Sequence, residues 1–491
     1  MNTYFFYDVE TTGLNIAFDQ ILQFSAIRTD MTLNEIERHT IKIHLRPDVI
    51  VSPSAMITNR ISVANSMPGL CEFEAVRQIH ELINTPGTIS LGYNSLGFDD
   101  GILRFSFHRN LLPPYTHQYE NGCYRMDLLP MTIICRLYKK EVLNWPEFDG
   151  KPTMKLEHLN SANHLAEGPA HDALVDVKAT VELAQRLFQE QEMWNYLRGY
   201  FNKDTDRSRV LKLPESFQSP AGAHRNGLMI GSEFGPDQNY QVPVLSIGES
   251  IPYGNQTLWL RLDLPELRTT TSETIPDTTW VIRKRYGEPG IVLPPRERYM
   301  KYLNPERVSV AEENTHWLRT QTDLFQKIIR YHRQFTYPVI PDLGVDAALY
   351  EIGFLSRQEQ ELCRRFHTAS LEEKIKLVSR FPTAEIRQLA GRVICRNYDA
   401  DVPKALYEEY TAYMAEVNPS GDDDALPDFK GDKRTTPQSA LLEIKRLQAS
   451  ADLDEAQQVL LDELETYIEK EFPEPGIAST RRGHVTHDSG P

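Results

Sequence analysis

The segment Phe5–Leu14, with the sequence FFYDVETTGL, decides how the first third of this chain folds. Its apolar run predicts a β-strand, and a turn follows at Gly13. Side chains two residues apart in a strand point to the same face, so Asp8 and Glu10 project together. Two adjacent carboxylates repel each other unless a cation lies between them, and Mg²⁺ prefers oxygen ligands of this kind. A solvated strand end is the simpler interpretation of the pair alone, so the choice depends on carboxylates further along the chain.

The first 190 residues alternate strand-like and helix-like patterns of apolar residues. A period of two predicts strands, and a spacing of three and four predicts helices. The predicted strands are Phe5–Val9, Gln20–Thr29, Thr40–Leu45 and Ile89–Tyr93, and the predicted helices are Glu72–Ile83 and Ala173–Phe188. Three strands followed by alternating helix and strand predict a mixed-sheet α/β domain over residues 1–195.

The remainder of the chain changes character twice. Short β runs punctuated by proline and glycine predict a small β-rich domain over residues 200–344. These runs are Gly227–Gly231, Gln241–Ile247, Thr257–Leu262 and Thr279–Arg285. Residues 345–472 have helical spacing, with helices predicted at Leu371–Phe381, Ala384–Cys395 and Leu441–Glu471. Residues 473–491 lack periodicity and are predicted to form a disordered tail.

Length and composition argue against several classes of protein. A chain of 491 residues with 40% hydrophobic and 25% charged residues is typical of a globular protein with two to four domains. No uncharged apolar run is long enough to cross a membrane, and no secretory signal is visible. The five cysteines form no C-x-x-C pair, which argues against structural zinc or a disulfide framework. We therefore expect a cytoplasmic protein that does not contact a membrane.

The charge of the chain is unevenly distributed. The formal net charge of −16 disfavours binding of nucleic acid by the surface as a whole. Residues 1–190 carry −7, residues 191–344 carry +1 and residues 345–491 carry −10. Any groove that binds phosphate is therefore expected to be local.

Two further acidic sites follow the opening pair. Asp99 lies after a predicted buried strand and a turn, and Asp176 lies early in the predicted helix 173–188. His171 precedes that helix in a loop marked by glycine and proline. Each has a simple structural interpretation when taken singly, because Asp commonly caps helices and an exposed His is commonly solvated. Together, four carboxylates and an imidazole suit phosphodiester hydrolysis at two divalent ions.

The order of these motifs resembles the DEDDh superfamily of 3′→5′ exonucleases: D-x-E on a strand, then N-x-x-x-F-D, then H-x-A-x-x-D. The resemblance implies an RNase H-like fold. It also implies that Asp8, Glu10, Asp99 and Asp176 hold two Mg²⁺ ions, for which Mn²⁺ is expected to substitute. His171 would be the base that activates the attacking water, because imidazole titrates near neutrality.

A closer resemblance, to the exodeoxyribonuclease I family, lies outside the catalytic motifs. It rests on Leu91–Asp100, Arg125–Leu129, the NWPE segment 144–147, Lys155–Leu159 with Ala162-Asn163, and Val345–Tyr350. It implies that an SH3-like β domain and an all-α C-terminal domain follow the exonuclease domain, in a C-shaped protein that encloses single-stranded DNA. It also suggests binding of the acidic C-terminal tail of bacterial single-strand-binding protein. We expect the protein to be a monomer.

Several residues are candidates for binding the substrate. Grooves for single strands combine cations that follow the phosphates with aromatic rings that stack on bases. Arg104, Tyr115 and Tyr119 follow the second acidic motif, and Glu10 is expected to contact both the metal and the terminal nucleotide. Lys155 occupies a position where the family has a basic residue, usually Arg, so the charge is kept and the bidentate fork is lost. The nearby Phe105 and Phe107 are expected to pack in the core.

The sequence thus predicts a Mg²⁺-dependent 3′→5′ exodeoxyribonuclease that degrades single-stranded DNA to mononucleotides and serves DNA repair or recombination. One alternative is a DEDDh ribonuclease that trims RNA 3′ ends, because nothing local in the sequence reads the 2′-hydroxyl. A second is a non-catalytic module that binds single strands, and a third is a proofreading subunit of a polymerase. The intact acidic set argues against the second alternative, and the match of the C-terminal extension argues against the third.

Overall fold

The computed structural model describes residues 2–168, 172–399, 401–450 and 452–473. The strands are β1 (Thr3–Thr11), β2 (Ile21–Thr29), β3 (Glu35–Lys42), β4 (Thr88–Gly92), β5 (Tyr124–Asp127), β6 (Glu147–Phe148), β7 (Lys151–Pro152), β8 (Glu215–Ser219), β9 (Gly222–Ile230), β10 (Gln241–Glu249), β11 (Gln256–Arg261), β12 (Val281–Arg285) and β13 (Ile291–Leu293).

The α-helices follow in the same order along the chain. They are α1 (Pro53–Asn59), α2 (Val63–Ser66), α3 (Glu72–Ile83), α4 (Asp99–Arg109), α5 (Leu128–Tyr138), α6 (Leu156–Asn163), α7 (Ala173–Phe188), α8 (Gln191–Arg198), α9 (Lys203–Leu211), α10 (Ile275–Thr278), α11 (Glu297–Met300), α12 (Pro305–Thr320), α13 (Thr322–Gln334), α14 (Arg357–Thr368), α15 (Leu371–Val378), α16 (Ala384–Asn397), α17 (Lys404–Val417), α18 (Pro437–Ser450) and α19 (Glu455–Glu471).

The N-terminal region is built on a mixed sheet with the strand order β3-β2-β1-β4-β5. Strand β1 is antiparallel to β2 and parallel to β4, and β4 is parallel to β5. The mixed α/β fold predicted from the sequence is therefore confirmed. Parallel strands need helical crossovers, and α3 supplies the one that leads into β4.

Strand β1 is buried on both faces, which places its two acidic residues. Tyr4 and Phe6 lie in one core cluster with residues of α5 and α7, whereas Phe5 and Tyr7 lie in another with residues of α3 and α4. Since side chains alternate along a strand, Asp8 and Glu10 share the face of Tyr4 and Phe6. They therefore point towards α7.

Several predicted elements have the observed bounds and others do not. Helices Glu72–Ile83 and Ala173–Phe188 match the structure. The strand predicted at Thr40–Leu45 is wrong in its bounds, because β3 spans Glu35–Lys42. Its position is set by antiparallel pairing with β2, in which Glu37 lies opposite Arg28, and not by its own apolar residues.

The middle region contains a second sheet with the strand order β12-β11-β10-β9-β13, and β8 pairs with β9. All four predicted β runs fall within strands β9 to β12 or overlap them. The SH3-like assignment and the domain boundaries at residues 195, 200, 344 and 345 stay predictions.

The C-terminal region is helical, as predicted. The single helix expected at Leu441–Glu471 is wrong, because α18 ends at Ser450 and α19 begins at Glu455. Asp454 caps α19, since its side chain accepts a hydrogen bond from the backbone N–H of Gln457 and the Gln457 side chain accepts one from the backbone N–H of Asp454. The predicted disordered tail lies outside the described residues from position 474 onward. Among the helices of the described residues, none combines the length and apolar character that a membrane crossing needs.

The C-terminal region contacts the N-terminal one through buried charges. Asp346 binds Arg396 and Arg392, and Arg396 also reaches Asp48 at 2.9 Å. Buried ion pairs lose stability sharply when one partner is removed. This contact therefore fixes the helical region against the segment that follows the first three strands.

Candidate active site

Three of the predicted metal ligands converge at the end of β1. One carboxylate oxygen from each of Asp8, Glu10 and Asp176 lies within 4.8 Å of the other two. The β1 side chains reach this point because they face α7, and Asp176 reaches it from the first turn of that helix. Hard oxygen donors at such spacing suit a divalent cation of the Mg²⁺ class.

The turn after β1 is held in one shape by Asp19. Its carboxylate accepts hydrogen bonds from the Thr12 hydroxyl at 2.7 Å and from the Asn15 backbone N–H at 2.8 Å. A Cβ at Gly13 would lie 2.5 Å from that carboxylate, so any larger residue would displace it. Arg109 of α4 donates hydrogen bonds to the carbonyl oxygens of Ala17 and Asp19. The turn beside the acidic cluster is thereby fixed.

Asp99 approaches the cluster from an element that carries none of the other three carboxylates. It is the first residue of α4 and is buried. The preceding loop is anchored by Asp127, whose carboxylate accepts hydrogen bonds from the backbone N–H groups of Asn94 and Leu96. A Cβ at Gly92 would lie 2.6 Å from the Tyr7 carbonyl oxygen, so glycine allows β4 to run close to β1. Asp99 lies outside the tight group of three but interacts electrostatically with Asp8.

The cluster is strongly electronegative. Burial, together with repulsion from Asp176 and Asp99, raises the pKa of Glu10 to about 8. Burial also raises the pKa of Asp99 to about 7. The pKa of Asp8 lies well above its ordinary value, because the group is buried and Asp99 and Glu10 repel its charge. Carboxylates this close resist ionising together, and a bound cation removes that cost.

The neighbouring Asp100 has a different environment. Burial alone would raise its pKa, yet Arg125 at 2.6 Å, His117 at 2.9 Å and Arg104 at 3.1 Å hold the pKa well below its ordinary value. Arg125 also reaches Glu288 of the middle region at 3.1 Å. Asp100 is thus ionised and paired, and it ties the start of α4 to the second sheet. Sequence reasoning missed this role because the partners are dispersed along the chain.

His171, the predicted base, lies outside the described residues. The next residue, Asp172, caps α7 by accepting hydrogen bonds from the backbone N–H groups of Leu174 and Val175. The helix that carries Asp176 therefore begins at Ala173, two positions after His171 in the sequence. Its role stays a prediction.

A cavity of about 990 Å³ opens beside Asp176. From the N-terminal region, it is lined by Asn94, Lys155 and His158, and from the middle region by Ser232 and Tyr240. Because it adjoins Asp176 and is lined by both regions, this cavity is the candidate place for a substrate.

The predicted substrate-binding residues lie in different environments. Lys155 lines the cavity, its side chain is 70% exposed, and it lies 3.3 Å from Glu157. Arg104 is mostly buried against Asp100, and its guanidinium lies 6.0 Å from the ring centre of Tyr115. Tyr119 is 67% exposed. Of the predicted site residues that the structure describes, Lys155 and Asp176 line this cavity, and the binding roles of all of them stay predictions.

The expected core residues near Arg104 are confirmed. Phe105 and Phe107 are fully buried. Phe105 stacks on Phe429 of the C-terminal region, and Phe107 contacts His80 edge-on.

Phe148 is an exposed aromatic residue of the cavity that sequence reasoning missed. It stacks on His158, with ring centres 5.2 Å apart and planes 17° apart. The signal was present, because Asp149-Gly150 is a strong two-residue hairpin turn. The flanking strands β6 and β7 have only two residues each, too few for a period-two pattern.

Comparison with known proteins agrees with this geometry. Residues 5–184 match the exonuclease family model RNase_T. The chain is 27% identical over 438 residues to exodeoxyribonuclease I of Escherichia coli, which covers 85% of this chain and 90% of that protein. It is 32% identical over 230 residues to exodeoxyribonuclease I of Haemophilus influenzae, covering 46% of this chain and 48% of that protein.

Solved structures give the same result for the fold. The crystal structure of E. coli exonuclease I in complex with a dA16 oligonucleotide has a TM-score of 0.82 at 24% identity, covering 96% of this chain and 100% of that one. Exonuclease I from Methylocaldum szegediense has a TM-score of 0.81 with the same identity and coverage. Residues 5–184 thus match the exonuclease (RNase_T) family model, and the chain is similar to exodeoxyribonuclease I proteins over most of its length.

Proposed function

We propose that this protein is a Mg²⁺-dependent 3′→5′ exonuclease that degrades single-stranded DNA to mononucleotides. The observation that carries the proposal is the convergence of Asp8, Glu10 and Asp176 within 4.8 Å beside a large cavity. Asp99, whose charge repels that of Asp8, would complete the acidic set from the start of α4.

The residues present fit a divalent metal. All four candidate ligands offer hard oxygen atoms, and burial together with repulsion from Asp176 and Asp99 raises the pKa of Glu10, a cost that a bound cation would offset. Two ions bound there would supply charge neutralisation and hold the attacking and leaving oxygens of an in-line displacement. Mn²⁺, with similar ligand preferences, is expected to substitute.

The chain's own residues would orient the substrate and move the proton. The terminal phosphodiester would lie at the acidic cluster, with the strand leaving through the cavity. His171 would take the proton of the attacking water at an imidazole nitrogen, since it lies two positions before the helix that carries Asp176. Lys155 would neutralise a phosphate of the strand from the cavity wall.

Single-stranded DNA is the substrate favoured by the similar proteins, because their names specify a deoxyribonuclease and their structures include complexes with DNA oligonucleotides. RNA trimming is the second candidate, since nothing local in the sequence reads the 2′-hydroxyl.

The remaining predictions follow from the same assignment. A nuclease of this kind would act in DNA repair or recombination in the cytoplasm. It would work as a monomer and bind the acidic tail of single-strand-binding protein. A tail peptide that fails to bind at low salt would contradict the last of these.

The test compares matched oligomers. Wild-type protein with Mg²⁺ should release mononucleotides from the 3′ end of single-stranded oligo-dT, and a 3′-phosphate block should slow it. Asp8→Asn should lower the rate by more than a thousandfold while the melting temperature in chelator stays the same or rises. Preferential digestion of RNA would favour the alternative, and full activity of Asp8→Asn would refute the metal-site assignment.

A further inference from the structure

The hairpin formed by β6 and β7 projects Phe148 into the cavity. Its turn residues Asp149 and Gly150 have φ values of 52° and 71°, the left-handed conformation that a tight two-residue hairpin requires. The turn chemistry therefore fixes a hairpin that is too short to be stable through its own strand pairing.

Contacts on both sides anchor this hairpin. The Tyr93 hydroxyl donates to the carbonyl oxygen of Met154 at 2.5 Å. From the middle region, the Tyr240 hydroxyl donates to the carbonyl oxygen of Pro152 at 3.0 Å, and Asp237 pairs with Lys151 at 2.7 Å. The hairpin is thus a fixed bridge between the two regions that form the cavity.

The ring of Phe148 is exposed to solvent and not buried in a core. The residue is 59% exposed, although a side chain of this size ordinarily lies in a core. One face is covered by the parallel ring of His158, and a hydrogen bond of 3.0 Å between Nδ1 and the Thr153 hydroxyl fixes that imidazole. A ring backed on one side and accessible elsewhere is a platform for a third flat group.

We propose that Phe148, backed by His158, is a stacking site for one nucleobase of the strand whose 3′ end lies at the acidic cluster. The proposal rests on the proposed function, because Phe148 and Asp176 line the same cavity. The exposed cation of Lys155 in that cavity suits the adjoining phosphate. Every base has a flat face, so the site would accept any base at a fixed distance from the 3′ end.

The test measures binding in the Asp8→Asn background, which prevents digestion. Binding of oligo-dT is compared with binding of oligomers that carry one abasic residue at each of the last six positions. Phe148→Ala should weaken binding of oligo-dT about tenfold, and Phe148→Trp should restore it. An abasic residue at one of the six positions should weaken binding by the wild-type ring to a similar extent. For that oligomer alone, Phe148→Ala should cause no further loss of binding.

Phe354→Ala is the matched control, because Phe354 is 93% exposed and is absent from the cavity lining. It should leave oligo-dT binding and the abasic profile unchanged. The stacking site would be overturned if affinity did not depend on the abasic position, or if Phe148→Ala weakened binding of every abasic oligomer equally. If the wild-type protein degrades single-stranded DNA normally, such a result leaves the proposed function intact, whereas failure to bind any single strand refutes both.

Discussion

Replacing Arg125 with methionine tests how the second sheet supports the acidic site. Arg125 joins two charges: Asp100, which is fully buried at 2.6 Å, and Glu288, which lies at 3.1 Å on the turn between β12 and β13. Asp100 follows Asp99 in the first turn of α4. The arginine therefore connects the middle region to a predicted metal ligand.

The expected cost of Arg125→Met follows from burial. Removing one partner of a buried ion pair costs about 3–5 kcal/mol, mainly because the other charge stays buried. His117 and Arg104 remain beside Asp100, so we expect the lower end, about 3 kcal/mol. The start of α4 should shift with this loss and lower kcat more than it raises KM, since Asp99 is displaced while the cavity is unchanged.

Two further variants make the test specific. Glu288→Gln keeps the buried pair and removes only a partly exposed one, so it should cost less than about 1 kcal/mol. Adding Asp100→Asn to Arg125→Met removes the stranded charge and should recover part of the stability.

Thermal melting and initial rates on oligo-dT would give both readouts. The reasoning would be refuted if the Arg125→Met variant had the melting temperature of Glu288→Gln and a normal kcat. A double variant less stable than Arg125→Met would equally refute the stranded-charge explanation.

Three other predictions concern the site. The pKa values of Glu10 and Asp99, about 8 and about 7, exceed their ordinary values, so the folded metal-free protein binds more protons than the unfolded chain. Its melting temperature in chelator should therefore fall as pH rises from 5 to 8.5, and added Mg²⁺ should raise the melting temperature more at pH 8.5 than at pH 5. A melting temperature independent of pH would contradict this. Lys155→Arg should strengthen oligo-dT binding a few-fold and Lys155→Ala should weaken it, as titrations would show. Gly13→Ala should cost about 1–3 kcal/mol and lower kcat, because its Cβ would meet the Asp19 carboxylate at 2.5 Å, and a variant with wild-type melting and rate would contradict this.

The sequence predicted elements well where local signals agree. Helix α7 has its predicted bounds because Asp172 caps it and its apolar stripe is regular. Strand β3 was misplaced, since Glu35–Lys42 is an edge strand with mostly exposed side chains, and its place depends on pairing with β2. The break between α18 and α19 was missed because apolar spacing continues across it, although Asp454 carries a capping signal.

The site residues, too, were predicted where a local signal was sufficient. Asp8 and Glu10 share a face through strand periodicity, which is a local property. The approach of Asp176 depends on α7 packing over that face, and periodicity alone does not give it. The pairing of Asp100 with Arg125 joins separate elements, so no local pattern predicts it. The hairpin that carries Phe148 had a local signal in Asp149-Gly150, but its stack on His158 had none.

Counting bound metal ions tests the central claim, that the carboxylates at the end of β1 form a two-metal site. Mn²⁺ binding would be measured by electron paramagnetic resonance with dTMP present, for wild type, Asp8→Asn and the control Asp149→Asn, which changes an exposed carboxylate of the cavity. The account predicts two ions per chain for wild type and the control, and loss of both strong sites in Asp8→Asn. Equal binding by wild type and Asp8→Asn would contradict it.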